Sequence, residues 1–266
     1  MPWLALTLEV ERAALEAFSD ALLAAGAQSV ALEAGQVSAI LEPHENPESL
    51  VAAAAHAAGI APPRFSSARL EDQDWVRLTQ AQFAPVVIGE RLWVGPSWHR
   101  APSGRVAVRI DPGLAFGTGS HPTTRLVLGF LERTVRGGER VLDYGCGSGI
   151  LAIAAAKLGA AQVDAVDLDP EALETTRTNA LANGVLLNAA APERLAPALY
   201  DLVVSNILAA PLIVLAPLLA RRGARIALSG ILETQADEVA HAYHPWFEMR
   251  IGGQSEGWAL LVGTAR

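Results

Sequence analysis

Disulfide-forming cysteines, membrane-length hydrophobic runs and an excess of positive charge are all missing from this 266-residue sequence. The single cysteine, Cys146, cannot form a disulfide within the chain, which is typical of a reducing compartment. The longest apolar run, 207–220, has 14 residues and two prolines, too few to span a bilayer. No basic segment precedes an apolar core near the N-terminus. We therefore expect a cytoplasmic protein without a signal peptide or a membrane segment.

The charge and the side-chain patterns exclude further classes of function. A formal net charge of −8 argues against a nucleic-acid-binding surface, which is normally basic, and is compatible with a basic partner. The sequence shows no metal-ligand cluster, no Ser/His/Asp arrangement with a motif behind it, and no internal repeat. Apolar residues make up 51% of the chain, enough for a sizeable core in one large domain or two smaller ones.

A change of hydrophobic period near the N-terminus predicts a small α+β domain. Apolar residues alternate over 4–10, as in a half-buried strand, and then recur at helical spacing over 15–22. Two short strands, a helix capped by Asn46 and a last strand follow, giving the order βαββαβ. The predicted division is a ferredoxin-like domain over 1–70, a linker helix over 71–84 and a second domain over 85–266.

The stretch from Val141 to Gly149 organises the second domain. A buried strand leads to Asp143, and an Ala-rich helical pattern begins at Ile150. Between them lie three glycines at alternate positions: Gly145, Gly147 and Gly149. Strand, glycine turn and helix open a nucleotide-binding βαβ unit, in which glycine lets the backbone approach a ligand. The next strand ends at Asp167, at the distance where a carboxylate can hold both ribose hydroxyls of an adenosine.

Two details separate this motif from the dinucleotide fingerprint. Asp143 stands where that fingerprint has an apolar residue, and the spacing is Gly-x-Gly-x-Gly instead of Gly-x-Gly-x-x-Gly. Asp-x-Gly-x-Gly-x-Gly resembles the first motif of class I S-adenosylmethionine methyltransferases. The resemblance implies an α/β fold with a doubly wound, seven-stranded sheet and a ligand at the carboxyl ends of the strands. That ligand carries a sulfonium and an amino group, which an acidic pocket suits.

Outside the glycine motif, the sequence predicts a mobile loop before it and several elements around it. The loop runs from Asp111 to Arg125, is rich in glycine and could close over a cofactor. Within this loop, we expect His121 to contribute to packing and not to act as a general base. The other expected features are a hairpin of Arg91–Trp98 and Arg105–Ile110, a helix over 207–220 broken by its prolines, and a closing strand pair of Phe247–Ile251 and Trp258–Val262 across Gly252-Gly253.

Four motifs together resemble the bacterial ribosomal protein L11 methyltransferases. They are Asp-Pro-Gly-Leu-Ala-Phe-Gly-Thr-Gly-Ser-His-Pro-Thr-Thr from Asp111, Asp-Tyr-Gly-Cys-Gly-Ser-Gly-Ile-Leu-Ala-Ile-Ala from Asp143, Val-Asp-Leu-Asp-Pro from Val166 and Ser-Asn-Ile-Leu from Ser205. The resemblance covers 85–266 by motif and the N-terminal part by architecture. It implies methylation of lysine ε-amines and of the N-terminal α-amine of a large-subunit ribosomal protein, free or during ribosome assembly. It also implies that the small N-terminal domain recognises the substrate.

The same resemblance assigns the site residues. The catalytic residue would be Asn206, near the amine. The residues that contact S-adenosylmethionine would be Phe116, Thr124, Asp143, Gly145, Gly147, Gly149, Asp167 and Asn206, with no metal. After the third strand, Asn188 and Glu193 are available but no clear acid is, so the adenine amino group would be recognised by backbone or by a displaced side chain.

Two other functions remain open at this point. Asparagine at the end of the fourth strand also occurs in nucleic-acid base methyltransferases, which usually continue with Pro-Pro and an aromatic residue. This chain has Ile207-Leu208-Ala209 instead. A non-catalytic ribosome-assembly module is the other alternative, and the intact Asp143, Asp167 and Asn206 argue against it. We expect a monomer that needs neither nucleic acid nor a membrane.

Overall fold

A computed structural model of the protein describes residues 3–10, 14–33, 36–42, 46–70, 84–111 and 119–266. The chain divides into two compact units, Met1–Gln82 and Phe83–Arg266, each with its own sheet and its own core. The predicted linker helix, apart from Ala84, lies outside the described residues.

The N-terminal unit is a four-stranded antiparallel sheet with two helices. Its elements are β1 (Trp3–Glu9), α1 (Leu15–Ala24), β2 (Ser29–Glu33), β3 (Gln36–Leu41), α2 (Pro47–Ala58) and β4 (Phe65–Leu70). The strand order β2-β3-β1-β4 is that of a ferredoxin-like fold, so the βαββαβ prediction is confirmed. The alternation in β1 buries Leu6 and Leu8 in a core with Phe18 and Leu22 of α1 and Val51 of α2.

The second unit holds a three-stranded sheet followed by the predicted seven-stranded sheet. Its elements are β5 (Val86–Ile88), β6 (Leu92–Gly95), β7 (Val106–Arg109), α3 (Pro122–Thr134), β8 (Arg140–Tyr144), α4 (Ile150–Lys157), β9 (Gln162–Val166), α5 (Pro170–Ala182), β10 (Asn188–Ala190), β11 (Leu202–Asn206), α6 (Ala209–Leu219), β12 (Arg225–Leu232), α7 (Ala236–Tyr243), β13 (Phe247–Ser255) and β14 (Trp258–Ala265).

The large sheet has the order β10-β9-β8-β11-β12-β14-β13. Strands β8 to β12 run parallel, and β14 lies antiparallel to both of its neighbours. The chain builds outward from β8 through β9 to β10 and then returns to β11 on the other side of β8. Ligands of such sheets bind where the direction reverses, at the carboxyl ends of the strands, which here means between β8 and β11.

The predicted hairpin of residues 91–98 and 105–110 is wrong. Strands β6 and β7 pair in parallel, with Leu92 beside Val106 and Gly95 beside Arg109. The antiparallel hairpin is formed instead by β5 and β6. An apolar strand pattern does not encode the direction of its partner, and the segment 96–105 carries the chain back to the starting end of β6 before β7 begins.

The prediction that prolines break the helix over 207–220 is also wrong, because α6 runs without interruption from Ala209 to Leu219. Pro211 lies in the first turn, where the helix requires no backbone N–H donor. Pro217 lies in the last turn, where only the end of the hydrogen-bond ladder is affected. Within the described ranges, no helix combines the length and the apolar character needed to cross a membrane.

The closing strand pair is present, but its turn lies elsewhere than predicted. The chain reverses at Glu256 and Gly257, whose φ angles are 54° and 80°. Positive φ at both central residues suits a two-residue hairpin between twisted strands. Gly252-Gly253, the predicted turn, is a register irregularity inside β13.

Candidate active site

Backbone hydrogen bonds hold the glycine turn against the end of β9. The N–H groups of Gly145 and Cys146 both donate to the carbonyl of Val166, at 2.7 and 3.0 Å. The N–H of Gly147 donates to Oδ2 of Asp167 at 2.9 Å. These bonds fix the Asp167 carboxylate beside the turn, at the carboxyl ends of two neighbouring strands.

Two polar side chains of α5 support the turn from behind. The buried Thr176 hydroxyl donates to the carbonyl of Gly147 at 3.0 Å, and the amide of Asn179 donates to the carbonyl of Ser148 at 2.9 Å. A Cβ on Gly149 would approach Thr176 Cγ2 to 2.8 Å, so the turn lies close against this helix. Neither residue was predicted from the sequence. The sequence feature that could have identified them is a pair of polar side chains, three residues apart, on the helix that follows Asp167.

Two glycines make room for Ile207. Gly145 and Gly230 both have φ of 83°, a conformation that residues with a Cβ rarely adopt. A Cβ on Gly145 would overlap Ile207 Cγ2, and a Cβ on Gly230 would overlap the Ile207 carbonyl oxygen. The segment 206–208 therefore packs between the glycine turn and β12.

Asn206 and Thr124 meet although they are 82 residues apart. The Asn206 amide nitrogen donates to Thr124 Oγ1 at 3.2 Å, which joins the end of β11 to the first turn of α3. His121 caps that helix, because its Nδ1 accepts the N–H of Thr123 at 3.3 Å. Its ring packs edge-on against Trp258, with the centroids 5.0 Å apart. His121 is not among the described residues that line the cleft.

A cleft of about 400 Å³ opens between the glycine turn and the segment 206–208. Five of the predicted site residues line it: Thr124, Gly145, Gly147, Asp167 and Asn206. The apolar walls of the cleft were not predicted from the sequence; they are chiefly Ile150, Leu151, Leu168, Leu208, Pro211 and Leu215. Leu168 and Leu208 follow closely after Asp167 and Asn206, so their position in the chain is a signal that could have identified them.

Of the other three predicted site residues, Asp143 and Gly149 lie outside the cleft and Phe116 is not described. Asp143 is fully buried behind the turn, where its Oδ2 accepts the N–H of Ala152 at 3.0 Å. Its Oδ1 has no hydrogen-bond partner within the described structure. Burial, with a contribution from the charge of Asp167, raises the pKa of Asp143 to about 7. Gly149 is the N-cap of α4 and does not line the cleft, and Phe116 lies outside the described residues.

The charge of the cleft favours a cationic ligand. Among the described residues that line it, none is Lys, Arg or His, and Asp167 contributes a carboxylate. Burial raises the pKa of the Cys146 thiol to about 12, so this side chain is neutral at physiological pH. Such a lining attracts positive charge and gives no cation for a phosphate.

The end of β10, the third strand of the seven-stranded sheet in chain order, contributes no side chain to the cleft. Asn188 donates to Asp164 Oδ1 at 2.7 Å, between β10 and β9, and Glu193 lies in a short 3₁₀ turn over Pro192–Arg194. Across the described part of the chain, no three His, Cys, Asp or Glu side chains come together so that they could hold a metal ion.

Comparison with known proteins places this architecture in one family. The family model for ribosomal protein L11 methyltransferase (PrmA) matches residues 33–266. The ribosomal protein L11 methyltransferase of Thiobacillus denitrificans is 49% identical over the full length of both chains. That of Cupriavidus necator is 48% identical over 97% of this chain and 96% of its own. A crystal structure of the ribosomal protein L11 methylase from Lactobacillus delbrueckii subsp. bulgaricus is 32% identical, with a TM-score of 0.62 over 68% of this chain and 98% of that one. This chain belongs to the ribosomal protein L11 methyltransferase family.

Proposed function

We propose that this protein methylates amino groups of ribosomal protein L11, with S-adenosylmethionine as the methyl donor. One observation carries the proposal: in a chain of this family, a single cleft joins the glycine turn and Asp167 to Asn206 and Thr124. The acceptor groups are lysine ε-amines and the N-terminal α-amine of the substrate protein.

The cleft fits the cofactor in size, in charge and in its hydrogen-bond acceptor. Its volume of about 400 Å³ lies within the usual range of roughly 300–1,000 Å³ for small-molecule sites. Asp167 would accept hydrogen bonds from the ribose hydroxyls, and Gly145 and Gly147 would admit the ligand close to the backbone. The carboxylate of Asp167 in the cleft suits a ligand with a sulfonium and an amino group. When bound, the sulfonium supplies an activated methyl group together with its leaving group.

The apolar walls of the cleft help to neutralise the acceptor amine. A lysine with the ordinary pKa of about 10.4 costs about 4 kcal/mol to deprotonate at pH 7.4, and an α-amine with a pKa near 7.8 costs about 0.5 kcal/mol. Desolvation lowers the pKa of an amine, because it penalises the charged form. Leu208, Pro211 and Leu215 provide such surroundings. The proton passes to solvent before the methyl group is transferred, so no strong general base is assigned.

Asn206 positions the neutral amine. Its amide nitrogen already donates to Thr124, so the amide oxygen is the atom that can accept a hydrogen bond from the acceptor. That bond would direct the lone pair of the amine nitrogen into the cleft. Alignment of this kind supplies much of the rate of a displacement reaction.

The N-terminal residues 1–70 select the substrate, and residues 85–266 hold the reaction site. Every described site residue, from Thr124 to Asn206, belongs to the second unit. The first 82 residues contain 11 Asp and Glu against 4 Lys and Arg, so they carry most of the net charge of −8. An acidic composition of this kind is complementary to a basic partner.

Methylation of a nucleic-acid base is not favoured by the structure around Asn206. The position that is aromatic in such enzymes holds Ala209 here, and Ala209 is buried at the start of α6. It therefore gives no exposed ring on which a base could stack.

Purified protein, radiolabelled S-adenosylmethionine and recombinant ribosomal protein L11 test the proposal directly. We expect the label to enter the protein, and mass spectrometry of its peptides to place it on lysine and N-terminal amines. Ribosomal RNA in a parallel reaction serves as the control. Label in the RNA alone, or in neither substrate, would contradict the proposed function.

A further inference from the structure

Helix α6 is apolar on both of its faces. No charged residue occurs between Ile207 and Ala220. One face packs into the core through Leu212, Ala216 and Leu219. The face beside it holds four residues at i, i+3, i+4 and i+7, a spacing that places them in one stripe along the helix. One of them, Leu215, is half-buried and also packs against the core. We call these four residues the α6 stripe: Pro211, Val214, Leu215 and Leu218.

The α6 stripe is unusually exposed for its composition. Val214 is 78% exposed and Leu218 is 40% exposed. A helix that is apolar all round is normally buried on all sides, and a contiguous exposed apolar patch marks an interaction site. The patch continues past the end of the helix into an open groove of about 730 Å³, where Leu199, Pro217 and Leu218 lie beside Arg221 and Arg222.

The other end of the α6 stripe is part of the candidate active site. Pro211 and Leu215 line the cleft, and Leu208 lies at its edge with 69% of its surface exposed. At about 1.5 Å per residue, the stripe extends roughly 10 Å from Pro211 to Leu218. One uninterrupted apolar surface therefore leads from the reacting centre to the groove beside Leu199.

We propose that the α6 stripe and the groove beside Leu199 dock an apolar-faced segment of the protein that carries the methylated amine. This inference rests on the proposed function. An amine on a folded protein reaches the cleft only if the polypeptide around it covers the rim, and one side of that rim is the α6 stripe. Coverage of the rim removes water from the cleft, which favours the neutral amine. The exposed Arg221 favours a segment with an acidic end, and Arg222 beside it is held by a hydrogen bond to the carbonyl of Ala196.

The double variant Val214→Glu/Leu218→Glu tests this surface without changing the lining of the cleft. Two carboxylates on the stripe oppose an apolar partner, so we expect KM for ribosomal protein L11 to rise at least about tenfold, the effect of losing well-buried interface contacts. Cofactor affinity by calorimetry and the unfolding temperature should match the wild-type protein. Leu181→Glu/Leu186→Glu is the matched control, because these leucines are 82% and 97% exposed outside α6.

Each outcome decides between occupants of the surface. A KM equal to that of the control variant overturns the inference. A wild-type dimer that the double variant converts to monomers, with KM unchanged, assigns the surface to a second copy and also overturns it. If wild-type protein does not methylate ribosomal protein L11 at all, the proposed function fails as well, so the two failures are distinguishable.

A photo-crosslinking amino acid at Val214 gives an independent measurement. We expect crosslinks to ribosomal protein L11 in the full-length enzyme with bound cofactor, and far fewer from the same group at Leu181. Crosslinks at Val214 only within the chain, or only to a second copy of it, overturn the proposal.

Discussion

At the scale of single residues, backbone contacts prepare the candidate site before a ligand arrives. Asp167 accepts the N–H of Gly147 on Oδ2 at 2.9 Å and the N–H of Asp169 on Oδ1 at 3.1 Å. A carboxylate has about four lone-pair positions, so both oxygens can accept further hydrogen bonds. Asp167 thus has a structural role, and a test of its proposed role in cofactor binding must separate the two.

Replacing Asp167 should weaken cofactor binding. Charge-assisted hydrogen bonds are worth about 1.5–3 kcal/mol each, so Asp167→Ala should raise the dissociation constant of S-adenosylmethionine at least tenfold by calorimetry. Asp167→Asn keeps one side-chain oxygen, so its dissociation constant for S-adenosylmethionine should lie between those of the wild-type protein and Asp167→Ala. Wild-type affinity in a folded Asp167→Ala protein would remove the ribose assignment.

Asn206 should affect turnover more than cofactor affinity. Its proposed contact is made with the amine during transfer, so its removal lowers kcat. We expect Asn206→Ala to reduce the single-turnover methylation rate at least tenfold, while calorimetry with S-adenosylmethionine changes little. An unchanged single-turnover rate would show that Asn206 does not position the amine.

Asp143 should make stability depend on pH. Its pKa is raised from 3.8 to about 7 in the folded protein, so the folded state holds the proton more tightly than the unfolded chain does. Its contribution to stability is therefore complete below about pH 4 and is lost as pH rises to about 7. Relative to Asp143→Asn, the wild-type free energy of unfolding should fall by roughly 3 kcal/mol between pH 5 and pH 8. Urea titrations of both proteins measure this, and a difference independent of pH would contradict it.

At the scale of elements, the site depends on how closely a turn, a strand end and a neighbouring strand approach each other. Ile207 lies between Gly145 of the turn and Gly230 of β12, and neither position has room for a Cβ. This close packing of Ile207 fixes the positions of its two chain neighbours, Asn206 and Leu208. Close packing transmits any displacement there, because well-packed groups have little space to relax.

Gly230→Ala should therefore lower the free energy of unfolding by more than the strain of a positive φ angle would by itself. Gly184 has φ of 66° with open space around it, so Gly184→Ala measures the strain of a positive φ, about 1–2 kcal/mol. Gly230→Ala adds an overlap with the Ile207 carbonyl and should lose about 1–3 kcal/mol more, together with methylation activity. Unfolding curves and activity of both variants provide the comparison, and equal losses would mean that the backbone at Ile207 moves freely.

At the scale of the whole molecule, charge and site residues are distributed unequally between the two units. Residues 1–82 carry 11 acidic and 4 basic side chains, whereas the cleft is built from residues after Phe83. This distribution supports the proposal that the first unit selects the substrate and the second unit binds the cofactor.

A chain that begins at Asp72 tests this division. It retains the complete seven-stranded sheet and the glycine turn, so it should bind S-adenosylmethionine with the full-length affinity. It should methylate ribosomal protein L11 much more slowly, because remote contacts no longer place the amine. Parallel calorimetry and methylation assays with the full-length protein decide the matter. Full methylation activity in the shortened chain would assign residues 1–71 a different role.

The features that the sequence alone determined are local ones. The ferredoxin-like element order and the strand-turn-helix at Gly145 follow from hydrophobic period and glycine spacing, both of which are readable within about 20 residues. Asp167 belongs with them, because a strand that ends beside the glycine turn must bring its next residue to that turn. The seven-stranded sheet was expected from the resemblance of the glycine motif to class I methyltransferases. The roles of Asp143 and Asn206 toward ligands stay predictions.

Only the tertiary structure decided the features that depend on distant contacts. The direction of β7, the turn at Glu256-Gly257 and the continuity of α6 all differ from the sequence prediction. The support from Thr176 and the exposed α6 stripe were not predicted from the sequence at all. A hydrophobic pattern states that a residue prefers an apolar neighbour, but not which neighbour it has or whether one is present. The actual neighbours are decided by contacts between residues far apart in the chain, such as Thr124 and Asn206.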